Sequence, residues 1–356
     1  MTLAFSLALV LSGCAPAGTS SQKPSPSAAA TPAVGNATAA ATEVPAPVTV
    51  TMGLANNALF APIFTGLQKG IFAKHGIDLK LSMVSAGTDN IRGLQGGQWQ
   101  FSGTSWATFL PAATQGVQFR LFGLITGTPE VGNYDNQVAL VVGPGFKGNT
   151  VADLKGAKIA VAVGTAPETW LRLVLRNAGL DPDKDVKLIN VAVPNQLSTL
   201  QNKGADAAVP AEPYGTLMLE KVPGSKVLTR GGGLTDVRVN YVGMSSWVQQ
   251  NAATAQKVMA ASFEASQYVR LHPDEAAVAT SHYINGIDLP TLTAAIKLLS
   301  FDPEWSDKVL ASFEQSSRDM VANGSIKVAP KTTDFLDLDL LKLSSKYPQY
   351  FSDLKK

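Results

Sequence analysis

Two hydrophobic periodicities alternate along the chain between residue 48 and Trp247. Apolar runs of four to eight residues, several of them alternating with polar positions, predict strands, and apolar positions three or four residues apart predict helices. The predicted strands are 48–54, 77–84, 101–103, 119–124, 138–142, 158–163, 186–191 and 205–209. The predicted helices between them are 61–74, 89–96, 106–115, 168–178 and 196–202. This alternation predicts an α/β fold of mostly parallel sheets with flanking helices.

The chain beyond Trp247 has only helical spacing, which predicts a helical C-terminal portion at 253–271, 273–283, 289–299 and 306–322. The part of the chain before Trp247 contains an internal repeat. The pattern at 75–78 recurs at 178–181, and the pattern at 93–100 recurs at 199–206. Two similar α/β units predict two lobes around a cleft. We expect lobe 1 to comprise residues 48–140 and 241–356, and lobe 2 to comprise residues 141–240.

The N-terminus predicts export and lipid attachment. The apolar run at 3–11 is too short to cross a bilayer and is typical of a secretory signal. It ends in Leu11-Ser12-Gly13-Cys14, which resembles the bacterial lipobox, where the cysteine carries the lipid. Residues 15–47 are rich in Ala, Pro, Ser and Thr, which predicts a disordered tether. We therefore expect a signal peptide at 1–13 and a protein that Cys14 anchors to the extracytoplasmic face of the cell membrane.

Composition and motif content argue against several classes of protein. The 29 Lys and Arg residues nearly balance the 27 Asp and Glu residues, and no basic run favours nucleic-acid binding. A single cysteine allows no intrachain disulfide, and the three histidines lack metal-ligand spacing. The sequence Gly103-Thr104-Ser105-Trp106-Ala107 approaches a nucleophile elbow but ends in Ala. The sequence therefore predicts a monomeric binding protein without catalytic residues, metal or cofactor.

Three motifs in a fixed order carry a family resemblance. They are Ala-Pro-Ile-Phe at 61–64 with Lys-Gly-Ile-Phe-Ala-Lys-His-Gly-Ile-Asp-Leu at 69–79, Asp-Leu-Lys-Gly-Ala-Lys-Ile-Ala-Val at 153–161 with Gly-Thr at 164–165, and Ala-Asp-Ala-Ala at 205–208 with Glu-Pro-Tyr at 212–214. Together they resemble the nitrate, sulfonate and thiamine-precursor family of solute-binding proteins. The resemblance implies a two-lobed type II periplasmic-binding fold. It also implies an ABC importer whose permease and ATPase subunits are the partners.

Ligands of open α/β sheets lie at the carboxyl ends of strands, so the loops there are the candidate binding residues. We expect the following ligand contacts: Asn56, Asn57, Phe60, Thr88, Asp89, Ser105, Trp106, Tyr134, Thr165, Glu212 and Tyr214. Thr88, Ser105 and Thr165 are also good helix N-caps, so a purely structural role stays open for each. Glu212 could likewise serve only to cap its helix, and the aromatic residues could belong to the core.

The character of these loops suggests a ligand class. They contain aromatic and acidic residues but no Lys or Arg, which favours a planar heterocycle with N–H donors over nitrate. The opening loop at 53–57 differs from the loop of the aminopyrimidine-binding branch. The sequence resembles the flavin-importing branch more, which implies riboflavin as the first choice. Alkanesulfonate or taurine and aminopyrimidine remain alternatives, as does a sensor or extracytoplasmic enzyme that reuses the fold.

Overall fold

The computed structural model describes residues 46–85, 87–127 and 135–354, and every structural statement below concerns these residues. The predicted signal peptide, Cys14 and tether lie outside them and stay predictions. Within the described ranges, no helix has both the length and the apolar content that a membrane span requires.

Two five-stranded sheets form the frame of the molecule. The strands are β1 (Val48–Ala55), β2 (Ile77–Val84), β3 (Phe101–Thr104), β4 (Phe119–Leu124), β5 (Ala139–Val142), β6 (Lys158–Val161), β7 (Lys187–Asn190), β8 (Ala207–Ala208), β9 (Lys226–Arg230) and β10 (Asn240–Met244). Lobe 1 contains the sheet with the order β2-β1-β3-β10-β4, and lobe 2 contains the sheet with the order β7-β6-β8-β5-β9. Each sheet is parallel on one side. The strand that follows a crossover between the lobes, β10 or β5, pairs antiparallel with both of its neighbours.

Helices cover both sheets, and the C-terminal portion is helical as predicted. They are α1 (Ala61–Gln68), α2 (Ile71–Lys74), α3 (Gly87–Gln95), α4 (Trp106–Thr114), α5 (Ala166–Asn177), α6 (Val193–Gln201), α7 (Tyr214–Lys221), α8 (Ser245–Gln250), α9 (Ala252–Leu271), α10 (Pro273–Ser281), α11 (Leu289–Leu298), α12 (Asp307–Ala322) and α13 (Leu338–Leu341). Short 3-10 turns lie at Ala58–Phe60, Val151–Leu154, Thr332–Phe335, Lys342–Lys346 and Pro348–Leu354.

Most predicted elements are present, and the differences have local causes. The helix predicted at 61–74 is two helices, because Gly70 adopts a left-handed conformation with a φ of 68° between them. The strand predicted at 205–209 is reduced to the pair β8. The sequence analysis did not assign β9, which completes one edge of the lobe 2 sheet. The α/β fold with a helical C-terminal portion is confirmed.

Buried apolar residues hold the site's frame in place. Helix α9 packs on α1 and α2 behind the first sheet, and α12 packs on α4. The chain passes between the lobes twice, once ahead of β5 and once ahead of β10. The lobe limits given in the sequence analysis stay a prediction at the residue level.

Candidate ligand-binding site

A cavity lies between the two lobes, where the strands of both sheets end. It holds about 100 Å³ of space for water-sized molecules and about 780 Å³ when its open mouth is counted. Lobe 1 lines it with residues after β1, β2 and β3, and lobe 2 lines it with residues after β6, β7 and β8. Val138 and Gln137 from the first crossover and Val237 and Val239 from the second also line the cavity. The site therefore includes both connections between the lobes.

Four helices begin at this cavity: α3, α4, α5 and α6. The N-cap residues of three of them, α4, α5 and α6, leave the first-turn N–H groups without a side-chain cap. Ser105 Oγ instead pairs with Thr108 Oγ1 at 2.7 Å, and Thr165 Oγ1 donates to the Ala162 carbonyl at 2.5 Å. Because the helix dipole places partial positive charge at an N-terminus, this arrangement favours an anionic or strongly accepting group in the cavity.

Several buried polar atoms of the cavity wall have no protein partner. Thr104 and Gln137 are only 3% and 4% exposed, yet Thr104 Oγ1 and Gln137 Oε1 accept or donate no hydrogen bond within the protein. Asn56 Oδ1 is also buried and unpaired. Because an unpaired buried polar atom is costly, these three atoms are suited to contact a polar ligand.

The cavity wall contains no charged side chain among the described residues. The predicted acidic contacts lie elsewhere. Asp89 forms an ion pair with Arg92 on α3. Glu212 is 1% exposed; its Oε1 accepts from Arg230 Nη1 at 2.6 Å, and its Oε2 accepts from the Thr216 N–H at 3.0 Å. The ligand contacts of both carboxylates stay predictions, and the structure gives Glu212 two structural partners.

The predicted aromatic contacts divide in the same way. Phe60 lines the cavity. Trp106 is fully buried, stacks on Phe313 at 4.8 Å and donates from Nε1 to Ser317 Oγ at 2.9 Å. Tyr214 is buried in the apolar core, and burial raises the pKa of its hydroxyl. These packed rings leave Phe60 as the one predicted aromatic residue that meets the cavity in the described part of the chain.

The structure brings together five of the predicted contacts: Asn56, Asn57, Phe60, Ser105 and Thr165. Asn57 also caps the following 3-10 turn, because its Oδ1 accepts from the Leu59 N–H at 3.1 Å. Thr88 lies next to the lining residue Gly87, and Tyr134 lies outside the described residues. All of these ligand contacts stay predictions.

The sequence analysis did not select several residues of the wall. They include Thr104, Thr108, Gln137, Val138, Val193, Val237 and Val239. Thr104 and Thr108 lie on either side of the predicted contacts Ser105 and Trp106. Because Thr108 comes three residues after Ser105, it lies on the same face of the helix and could have been predicted. Gln137 had no comparable signal, because its importance depends on a crossover that meets the cavity only in the folded molecule.

The lobes contact one another around the cavity. The Ala58 N–H of lobe 1 donates to the Glu212 carbonyl of lobe 2 at 3.2 Å. Farther out, Lys221 Nζ lies 3.4 Å from Asp288 Oδ2, and Thr291 Oγ1 donates to Glu220. The last two contacts join α7 to the start of α11 and so connect the lobes. Among the described residues, no cluster of His, Cys, Asp and Glu side chains could hold a metal ion.

Comparison with known proteins places this two-lobed architecture in a family. Residues 43–284 match the model of the NMT1-like family. The chain belongs to that family. A protein of Brucella abortus (strain 2308), provisionally named a binding protein, is 27% identical over 224 residues, which are 61% of this chain and 65% of that protein. The chain thus matches somewhat less than two thirds of the length of this relative.

Solved structures with low sequence identity show the same fold. The periplasmic aliphatic sulphonate binding protein SsuA from Escherichia coli superposes with a TM-score of 0.69 at 18% identity, covering 83% of this chain and 99% of that chain. The desulfurization enzyme DSZB superposes with a TM-score of 0.60 at 16% identity, covering 84% and 99%. The two-lobed periplasmic-binding fold expected from the sequence is confirmed, and one fold serves a binding protein and an enzyme.

Proposed function

We propose that this chain is the extracytoplasmic solute-binding subunit of an ABC importer. Membership of the NMT1-like family and the two-lobed fold with an interlobe cavity support the proposal. Two lobes joined by two crossovers can open and close around a solute by hinge bending. The partners would be a membrane permease and its ATPase, which receive the solute from the closed protein.

The proposed ligand is a small organic anion with a sulfonate-type head group. The observation that carries this choice is that four helices begin at a cavity whose wall, as far as its residues are described, has no charged side chain. Helix N-termini stabilise an anion with N–H groups and partial positive charge and need no cationic side chain. A carboxylate in the wall would oppose an anion, and none of the described lining residues carries one.

The rest of the wall suits the organic part of such a ligand. Apolar side chains from both lobes and from the second crossover also line the cavity, among them Leu59, Phe60, Val193, Val237 and Val239. Apolar lining with a few placed polar groups is the usual composition of a small-molecule site. A bare inorganic anion such as nitrate would leave this surface without a partner.

Riboflavin, the first choice from sequence, ranks behind the sulfonate class on this geometry. The choice depended on stacking aromatic residues and on acidic hydrogen-bond acceptors. Trp106, Tyr214 and Glu212 have structural partners instead, so the wall offers a single ring, Phe60, for stacking. Riboflavin and aminopyrimidine stay predictions and belong in the same binding test.

Catalysis is the competing class, since the fold also occurs in the enzyme DSZB. In the part of the wall that the structure describes, Ser105 is present but no histidine, lysine or carboxylate that could activate a nucleophile. Among the described residues, His75 pairs with Glu264 and His272 lies near Glu275, both away from the wall. This arrangement supports binding without turnover.

A binding screen tests the function. The purified protein is titrated calorimetrically with taurine, an alkanesulfonate, riboflavin, aminopyrimidine and nitrate, and its thermal unfolding is followed with each. A ligand at 100 times its Kd should add about 2.7 kcal/mol to the free energy of unfolding. Sulfonate binding without chemical change of the ligand is the expected result. Tight riboflavin binding with no response to any sulfonate would contradict the proposed ligand class.

Lipid anchoring through Cys14 is part of the same proposal and gives a second prediction. Wild-type protein should partition with membranes because a lipid on Cys14 would hold it there. The variant Cys14→Ser should appear as unprocessed precursor or as released protein. Membrane fractionation and intact-mass measurement check this, and equal mass and equal membrane recovery of both forms would contradict it.

A further inference from the structure

The position of Gln137 in the cavity wall limits which hydrogen-bonding groups the ligand can have. Gln137 belongs to the first crossover, it is 4% exposed, and it lines the cavity wall. Its Nε2 donates to the carbonyl of Val237 in the second crossover. Its Oε1 is buried and has no partner.

The contact with Val237 fixes the orientation of the amide. A backbone carbonyl can only accept a hydrogen bond, so the NH₂ group of Gln137 must face it. The oxygen is then the atom that remains for the cavity. A carboxamide oxygen accepts hydrogen bonds and donates none, so a ligand atom beside it is favourable only if that atom carries a hydrogen.

A second acceptor adds to this constraint. Asn56, in the loop after β1, also lines the cavity and has a buried, unpaired Oδ1. The cavity therefore presents two amide oxygens as well as the helix N-termini. The water-accessible space is about 100 Å³, which suits a ligand a few atoms long.

From this geometry we infer that the ligand is a bifunctional organic anion, with an oxyanion at one end and a hydrogen-bond donor, a hydroxyl or ammonium, at the other. Gln137 Oε1 is the residue atom that selects the donor. The inference rests on the proposed function and narrows its ligand class. A simple alkanesulfonate lacks the donor and would leave Gln137 Oε1 desolvated and unpaired, which costs affinity.

The position of Gln137 also links the choice of ligand to the contact between the two crossovers. Its carboxamide joins the two crossovers, because Nε2 donates to the Val237 carbonyl, and its buried Oε1 has no partner within the protein. When the oxygen accepts a hydrogen bond, the N–H groups of the same amide become better donors. A donor-bearing ligand therefore strengthens the contact between the two crossovers, and a ligand without a donor does not.

Three ligands of equal length test the inference. Taurine, isethionate and propane-1-sulfonate have the same chain of heavy atoms and differ only in a terminal ammonium, hydroxyl or methyl group. We expect the wild-type protein to bind isethionate or taurine about ten-fold or more tightly than propane-1-sulfonate by calorimetry. Equal affinity for all three would overturn the inference and leave the proposed sulfonate function standing. Failure of all three to bind would overturn both.

Variants locate the selectivity. Gln137→Met keeps the side-chain length but removes the oxygen, and we expect the preference for the donor-bearing ligand to fall to about two-fold or less. The ratio of affinities is the readout, because only a donor-bearing ligand can use Gln137 Oε1, whereas a general loss of binding lowers all three affinities. Gln115→Met, on the exposed C-cap of α4, is the matched control and should keep the full preference. An unchanged preference in Gln137→Met would overturn the role of Gln137. If that variant does not fold, the wild-type ligand series still decides whether the ligand must carry a hydrogen-bond donor.

Discussion

At the scale of single residues, Glu212 was predicted to contact the ligand, but its buried carboxylate has hydrogen-bond partners within the protein. Its position after a strand and before a helix made it a candidate contact, and the same position allows it to cap α7. In the folded protein its carboxylate receives hydrogen bonds from Arg230 and from the Thr216 N–H. Arg230 follows 18 residues later in β9, an edge strand that the sequence pattern did not reveal.

Replacement of this carboxylate should therefore affect stability more than binding. We expect Glu212→Gln to lower the free energy of unfolding by about 1–3 kcal/mol, since a charge-assisted hydrogen bond to Arg230 is lost. Ligand affinity should change less than about three-fold. Denaturant unfolding and calorimetry separate the two effects, and the exposed Glu314→Gln serves as control. A loss of affinity of ten-fold or more at unchanged stability would support the ligand contact predicted from sequence.

Asp135 gives a pH-dependent prediction at the same scale. It is 3% exposed, and desolvation by burial raises the pKa of its carboxyl above the ordinary value, although the Gly233 N–H donates to it at 2.5 Å. A raised pKa means that the folded state binds the proton more tightly than the unfolded state. The folded protein should therefore lose stability as the pH rises from the ordinary aspartate value of about 4 through the raised value.

Asp135→Asn removes this titration and keeps an oxygen that can accept from Gly233. We expect the variant to be at least as stable as the wild type at neutral pH and to lack the loss of stability across that pH window. Urea midpoints measured at several pH values check the difference. Asp274→Asn, at an exposed position on α10, should retain the wild-type pH dependence. Identical pH profiles for Asp135→Asn and wild type would contradict the role given to burial.

At the scale of elements, the two ends of α4 differ in function. The first turn meets the cavity through Ser105 and Thr108, and the last turn at Thr114 is exposed, with its hydroxyl donating to the Pro111 carbonyl. We expect Thr108→Val to weaken binding about five- to ten-fold, because about 1 kcal/mol of hydrogen bonding to the ligand is lost. Thr114→Val should leave the affinity unchanged. Equal effects of the two substitutions, measured by calorimetry, would contradict a ligand-contacting first turn.

The elements also show how far the sequence alone could lead. Strands such as β2 and β4 were predicted with their observed limits, because their apolar runs end at clear turns. The start of α4 was predicted as well, but the direction of Trp106 was not. Its indole packs against Phe313 and Ser317, which are more than 200 residues away in the sequence. Helix limits depend on neighbouring residues, whereas the partner of a buried side chain depends on the tertiary fold.

At the scale of the whole molecule, closure of the lobes should be measurable. The lobes contact one another through the Ala58 N–H and the Glu212 carbonyl and through the pairs that join α7 to α11. We expect X-ray scattering to give a smaller radius of gyration with saturating ligand than without. Thr291→Val, which loses the bond to Glu220, should require a higher ligand concentration for the same compaction. An unchanged radius of gyration at saturation would contradict hinge closure.

The order of strands within the two sheets has a consequence for how the chain acquires its structure. Strands β5 to β9 follow one another without interruption, so the sheet of lobe 2 can be completed by one contiguous stretch. In lobe 1, β10 lies between β3 and β4, so about 115 residues must be present after β4 before these strands are joined. We therefore expect lobe 2 to fold early and lobe 1 to complete its sheet only after β10 has been added. If the chain is exported with its N-terminus first, the lobe 1 sheet cannot be completed until β10 has emerged. By then most of the chain has crossed the membrane.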